Sequence, residues 1–240
     1  MKVTAVIPAR YDSSRLPGKV LKDIEGKTMI QRVYEQTAQA DNLDRVIVAA
    51  DDERVYEEVK SFGGAVKMTS QEHSTGTDRI AEVAQNLSAD IIVNVQGDEP
   101  LLNPAMIDQA VRPLLEDKQV PMSTLKHKIE SKSELEDHNA VKVVTDRDDF
   151  ALYFSRSLVP YPRSETETTF YKHIGLYVYR RDFLLDYTNL APTPLEEKES
   201  LEQLRALENG YKIKVVETDY QVVGVDTEED LEKVRKKVKE

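Results

Sequence analysis

Three cations stand close together near the start of the chain: Arg10, Arg15 and Lys19, with the hydroxyls of Ser13 and Ser14 and a glycine at position 18. Arginine presents a planar fork of N–H donors and lysine a compact ammonium. The set therefore suits a polyanion, a triphosphate above all. Two acids much further along could supply the other half of such chemistry. Asp98 follows the apolar run 91–95 within Gln96-Gly97-Asp98-Glu99, and Asp226 follows Gly224-Val225. Carboxylates at a strand end can hold a hard divalent cation, which takes oxygen ligands. Each acid also has a plainer use, Asp98 in a turn or cap and Asp226 as a helix N-cap. Thr227 with Asp230 has capping-box spacing and can take over the second job.

The surrounding pattern places both sets where strands end. The β-branched run 3–7 reads as a buried strand that stops at Pro8, just before the cations. Met29, Ile30, Val33 and Tyr34 then recur at helical spacing. Next come a strand at 45–50, a helix to about 62 closed by Gly63-Gly64, and a strand at 65–68. A helix marked by Ile80, Val83, Ala84 and Leu87, a strand at 91–95 and a helix at 104–116 complete the series. This βα alternation predicts an α/β fold with a doubly wound, mostly parallel sheet. Beyond about 117 the pattern changes. Strands at 122–128, 141–145, 151–155 and 173–179 are joined by polar loops, and a strand at 212–217 precedes a last helix at 227–238. The reading is one domain over 1–240, with a core at about 1–118 and 218–240 and an inserted subregion at about 119–217.

Composition narrows the function classes. The net charge of −11 argues against a broad nucleic-acid surface, so the cations must act locally. There is no cysteine, which removes disulfides, thiolate nucleophiles and cysteine zinc sites. No apolar stretch nears the roughly 18 residues of a membrane span. Nor does a charged-then-apolar leader open the chain. The expectation is a cytoplasmic protein with neither membrane nor nucleic acid as partner. A Walker loop is ruled out, because its GxxxxGK[ST] spacing is missing.

The segment IPARYDSSRLPGK (7–19) resembles the signature loop of sugar nucleotidyltransferases that activate acidic sugars with CTP. The likeness is closest to the 3-deoxy-D-manno-octulosonate (Kdo) cytidylyltransferase, or CMP-Kdo synthetase, family. It continues in order through HSTGTDRIAEV (73–83), VNVQGDEP (93–100), ALYFSR (151–156), YKHIGLYVYRRDFL (171–184), LEQLRALENGYKI (201–213) and GVDTEEDLEKVR (224–235). The resemblance implies the Rossmann-like nucleotide-diphospho-sugar transferase fold with an inserted sugar-binding and dimerisation subregion. It further implies transfer of CMP from CTP to the anomeric hydroxyl of Kdo, in lipopolysaccharide or capsule biosynthesis, by a homodimer using Mg²⁺.

By the same resemblance Lys19, Asp98 and Asp226 are the catalytic residues, and Asp98 and Asp226 hold the metal. Ala9, Arg10, Ser14, Arg15, Lys19, Thr75, Arg79 and Gln96 would bind the nucleotide. Arg156 and Arg163 would clamp the sugar carboxylate, with His173, Tyr177, Glu202 and Gln203 on its hydroxyls. On the residues alone the sugar set has plainer readings: His173 as a core histidine, Tyr177 as packing, Glu202 as a solvated helix residue. Relatives commonly carry serine at the position of Thr75, which keeps the hydroxyl. Ala50 stands where a threonine is expected, which leaves position 50 without a polar side chain. Two rival functions remain open: a cytidylyltransferase for another acidic sugar, 8-amino-Kdo or a sialic acid, and a nucleotide-binding module without catalysis.

Overall fold

A computed structural model describes residues 1–13, 15–163 and 168–239. By contacts the chain divides into two compact units, Met1–Asp108 with Val222–Glu240, and Gln109–Gln221.

In the first unit the apolar run at 3–7 forms β1 (Val3–Ala9). A hairpin follows, β2 (Asp23–Ile24) and β3 (Lys27–Thr28), then α1 (Met29–Thr37), β4 (Arg45–Ala50), α2 (Glu53–Ser61), β5 (Val66–Met68), α3 (Gly76–Gln85), β6 (Ile91–Asn94) and α4 (Pro104–Glu116), in which the boundary between units falls. β1 pairs in parallel with β4 on one side and β6 on the other, and β4 pairs in parallel with β5. The order is thus β6-β1-β4-β5. Ala5, Val6 and Ile7 are fully buried. Unbroken apolar runs are what parallel strands need when both faces are covered, and burying a side chain such as Ile7 contributes about 1.5–3 kcal/mol. Helix starts are capped by short polar side chains: Thr28 accepts from Gln31 N–H and Asp52 from Arg54 N–H. The hairpin has no signal in the sequence pattern, because two-residue strands show no period. Its turn, Glu25-Gly26, has positive φ at both residues (52° and 79°), the geometry of a tight hairpin turn.

The second unit is mixed. β7 (Met122–Lys128) lies antiparallel to β10 (Tyr171–Arg180) and parallel to β11 (Ile213–Glu217). β8 (Lys142–Thr145) pairs antiparallel with β10 and with β9 (Ala151–Ser155). Among the described residues four short helices join them: α5 (Lys132–Glu136), α6 (Arg181–Tyr187), α7 (Pro194–Glu199) and α8 (Gln203–Glu208). A register shift in β10 between Ile174 and Tyr177 re-aims its side chains. The chain then returns to the first unit as α9 (Glu228–Lys239). No helix among the described residues is long and apolar enough to cross a membrane.

Candidate active site

Strand order in the first unit creates the site. The chain leaves β1 toward β4 and later comes back to β6 on the opposite side, so β1 and β6 flank a switch point where crossovers diverge. Their carboxyl ends approach closely: a Cβ at Gly97 would lie 2.8 Å from the Pro8 carbonyl oxygen, which only glycine avoids. Residues 10–13 and 15–19 fold over this edge. Gly18 N–H donates to Tyr11 O (3.2 Å), and Gly18 holds φ at 63°, where an added Cβ would lie 3.4 Å from the Tyr11 hydroxyl oxygen. Leu16 is buried with Ile24, Met29, Val225, Leu231 and Val234, which ties the stretch to α9. The result is an open cavity of about 340 Å³ lined by Arg10, Arg15, Lys19, Gly76, Gln96 and Asp98 among others.

The two acids meet here. Lys19 Nζ donates to Asp98 Oδ2 (2.6 Å) and to Asp226 Oδ1 (3.2 Å), and Arg15 Nη2 reaches Asp226 Oδ1 at 2.9 Å. Val225 N–H donates to Asp98 O (2.9 Å) and so brings the distant segment alongside. Thr227 and Asp230 cap α9 reciprocally, so the Asp226 carboxylate is not spent on that end. Two carboxylates converging on one ammonium form a donor set that also fits a hard divalent cation. Among the described residues no cluster of three or more acidic, histidine or cysteine side chains could hold a metal ion. If an ion were held here, Asp98 and Asp226 would be its two protein ligands, and phosphate and water oxygens would complete the shell, the way Mg²⁺ is usually held. Neighbouring Glu99 is buried, and burial with the nearby Asp98 charge pushes its carboxyl up to about 8. Burial thus favours the protonated form of this carboxyl.

The nucleotide candidates divide. Arg10, Arg15, Lys19 and Gln96 line the cavity, and Arg10 Nη2 also donates to His73 O (3.2 Å). Ala9 is buried and has only its backbone to offer. Ser14 lies outside the described residues. Thr75 caps α3 in a reciprocal box with Asp78, while Gly76 beside it lines the cavity, so the positive end of α3 faces that space. Arg79 is fully buried and does not line the cavity. Its guanidinium pairs with Asp51 (3.2 Å) and donates to Thr69 Oγ1 (2.6 Å) and Ser70 O (3.1 Å). Asp51 in turn accepts from Tyr11 N–H (3.0 Å). Sequence reading passed over Asp51 and Tyr11 as functional residues. An acid at the carboxyl end of β4, next to the strand that carries the cationic stretch, is the signal that points to Asp51.

The sugar candidates belong to the second unit. His173 and Tyr177 project from β10 with ring centroids 5.2 Å apart, and Phe154 meets His173 edge-on at 5.0 Å. Burial pushes the His173 imidazole down to about 3, and Thr124 Oγ1 lies 2.9 Å from its Nε2. The Tyr177 phenol is pushed up by burial and then by the Glu202 charge. Gln203 at the start of α8 is 4% exposed, and its Nε2 has no hydrogen-bond partner among the described residues. Arg156 is held by backbone: Nε donates to Glu199 O (2.7 Å), Nη1 to His138 O (3.2 Å) and Nη2 to Ser200 O (3.3 Å). Three of its five N–H groups are thereby occupied, and the turn leading to Glu202 and Gln203 is stapled. Arg163 is exposed and joins none of these contacts among the described residues.

The chain matches the cytidylyltransferase family model over residues 4–213. It is similar to the 3-deoxy-manno-octulosonate cytidylyltransferase of Geobacter metallireducens, at 58% identity over 249 residues covering 99% of this chain and 98% of that one. Among solved structures it is similar to CMP:2-keto-3-deoxy-manno-octonic acid synthetase complexed with CTP. There the TM-score is 0.96 and the identity 46%, over 100% of this chain and 99% of that one. The 4-diphosphocytidyl-2C-methyl-D-erythritol synthase of Anaerococcus prevotii is alike in fold alone (TM-score 0.64, 12% identity, 100% and 99% covered). The architecture is accordingly the α/β fold that the βα alternation predicts, of the Rossmann-like kind that the family resemblance implies.

Proposed function

We infer the reaction from one premise: the chain belongs to the cytidylyltransferase family. It transfers CMP from CTP to the anomeric hydroxyl of Kdo. The hydroxyl oxygen bonds to the α-phosphorus, the bond to the β-phosphate oxygen breaks in line, and CMP-Kdo and pyrophosphate result, with the hydroxyl proton passing to water. The observation that carries this reading is the meeting of Lys19 with Asp98 and Asp226 beneath the cationic stretch. The relatives named above support the choice of CTP and Kdo.

Asp98 and Asp226 are the residues that would hold a divalent ion, Mg²⁺. Bound there, it would supply Lewis-acid neutralisation of the α-phosphate charge. Lys19 contributes a compact ammonium to the same phosphate, strongest where charge develops in the transition state. Arg10 and Arg15 hold the departing pyrophosphate, and the positive end of α3 with Gln96 receives the nucleoside side. In the second unit Tyr177, Glu202, Gln203 and a neutral His173 offer groups to sugar hydroxyls. The buried Gln203 donor supports this, since a buried N–H without a partner costs about 1–3 kcal/mol until one arrives. Arg156 keeps N–H groups for the sugar carboxylate, and Arg163 can approach it from solvent. This unit also serves as the dimerisation subregion. Leu152 on β9 (62% exposed) and Tyr161 (81%) each expose an apolar side chain that a second copy would cover. The enzyme works in the cytoplasm, where CTP is available.

The test is pyrophosphate release with CTP, Mg²⁺ and Kdo, beside 8-amino-Kdo, a sialic acid and UTP. Release that requires CTP and is fastest with Kdo is expected. Faster release with another acidic sugar reassigns the acceptor. CTP binding without release makes the chain a nucleotide-binding module.

A further inference from the structure

The stretch 10–19 and the segment at the start of α3 approach the cavity from different parts of the first unit. Two ligand-facing segments act on one molecule only if their spacing is held. The structure contains a joint between them. Asp51, at the carboxyl end of β4, accepts from Tyr11 N–H with Oδ1 (3.0 Å) and pairs with Arg79 through Oδ2 (3.2 Å). Each carboxylate oxygen thus serves a different segment. On the α3 side Arg79 is fully buried and fixed by Thr69 Oγ1 and Ser70 O, so it has no freedom to follow a moving partner. Thr69 is itself bound to β4 through Ala50 O (2.9 Å). On the other side Tyr11 O accepts from the N–H of Gly18, the residue before Lys19, and the Tyr11 ring lies where a Cβ at position 18 would meet it. The Arg54 guanidinium lies 3.3 Å above that ring and is itself gripped by Asp52. The joint therefore reaches Lys19 by a short run of contacts.

We propose that Asp51 is a positioning residue that sets the distance between the phosphate-gripping stretch 10–19 and the nucleoside-gripping start of α3. It touches no substrate. Arg79, on the same account, acts through Asp51 rather than on the base. The inference rests on the proposed use of the cavity for CTP. A buried ion pair adds little to stability compared with an apolar pair of the same volume, so positioning is the use that accounts for placing a carboxylate there. A ligand that touches both segments gains from their fixed spacing, and a ligand that touches one does not.

Asp51→Asn preserves the shape of the side chain and can still accept from Tyr11, but it turns an amide on Arg79 or gives up one of the two bonds. Calorimetric titration of wild type and Asp51→Asn, at one Mg²⁺ concentration, uses three probes: CTP, CMP and inorganic pyrophosphate. The expected result is a loss of about tenfold or more for CTP, with less than about threefold for CMP and for pyrophosphate. An equal loss for all three would mean a general structural defect, and no loss for any would mean an idle ion pair; either overturns the proposal. If Asp51→Asn fails to fold, Arg79→Lys retains the buried charge while giving up the fork, and the same selective loss is required of it. A wild type that binds CTP and releases pyrophosphate beside an Asp51→Asn that matches it overturns the joint alone. A wild type that binds none of the three probes overturns the use of the cavity as well.

Discussion

In the first unit the candidate chemistry rests on charged side chains carried by loops at strand ends; in the second, neutral side chains on a strand and a helix, His173, Tyr177 and Gln203, stand beside the charged Arg156, Arg163 and Glu202. Lys19, Asp98 and Asp226 are partly exposed, face one another and exchange hydrogen bonds. Burial lowers the His173 imidazole and raises the Tyr177 phenol, both favouring the neutral form, and Gln203 is buried with a donor to spare. The contrast follows from what each end must do. Stabilising a polyphosphate needs concentrated charge that a ligand can reach. Telling one sugar hydroxyl pattern from another needs dry, pre-placed neutral donors and acceptors, whose loss of a partner is costly. On the proposed function, one region would serve rate and the other choice.

The sharpest break in that comparison comes from the acids. Asp98→Ala or Asp226→Ala should lower turnover by roughly a thousandfold or more, with the melting temperature still showing a cooperative fold. Near-normal pyrophosphate release from either would remove the metal from the first unit. Lys19→Met comes next. Its turnover number should fall about a hundredfold while CTP affinity, read by calorimetry, changes by no more than about threefold. A pure affinity loss would make Lys19 a tether. Gln203→Leu tests the other region: the KM for the sugar should rise about tenfold while that for CTP stays within about twofold. A parallel rise for CTP would mean that the two regions do not divide the labour.

The smallest effect concerns Glu99. Its folded-state value, about 8, lies above the ordinary 4.5 because of burial. Between those pH values the folded chain keeps a proton that the unfolded chain has lost, so stability falls as pH rises through this window and levels off above it. The slope contributed is at most about 1.4 kcal/mol per pH unit. Urea melts at pH 5 and pH 8 should show Glu99→Gln losing less stability over that interval than wild type. An equal loss would place the Glu99 carboxyl in water.

Much of the first unit was legible because its signals are local. A β-branched run before Pro8, glycines at loop ends and the Thr227/Asp230 spacing each act within a few residues, and the structure uses them so. Arg10, Arg15, Lys19 and Asp98 lie in short stretches whose residue types already state a charge pattern, and the cavity gathers them. Arg79 was not legible in the same way. Its environment depends on Asp51 at the end of another strand, and no spacing rule links positions 51 and 79. The backbone grip on Arg156 escapes the sequence for the same reason, since it is made by the carbonyls of His138, Glu199 and Ser200. The β2–β3 hairpin is too short to carry a pattern of its own.

The bond from Val225 N–H to Asp98 O also gives the molecule a built-in reporter. The Val225 amide hydrogen exchanges slowly with deuterium while this bond stands and quickly when it opens, so its exchange rate reads how often the backbone beside Asp226 separates from the backbone of Asp98.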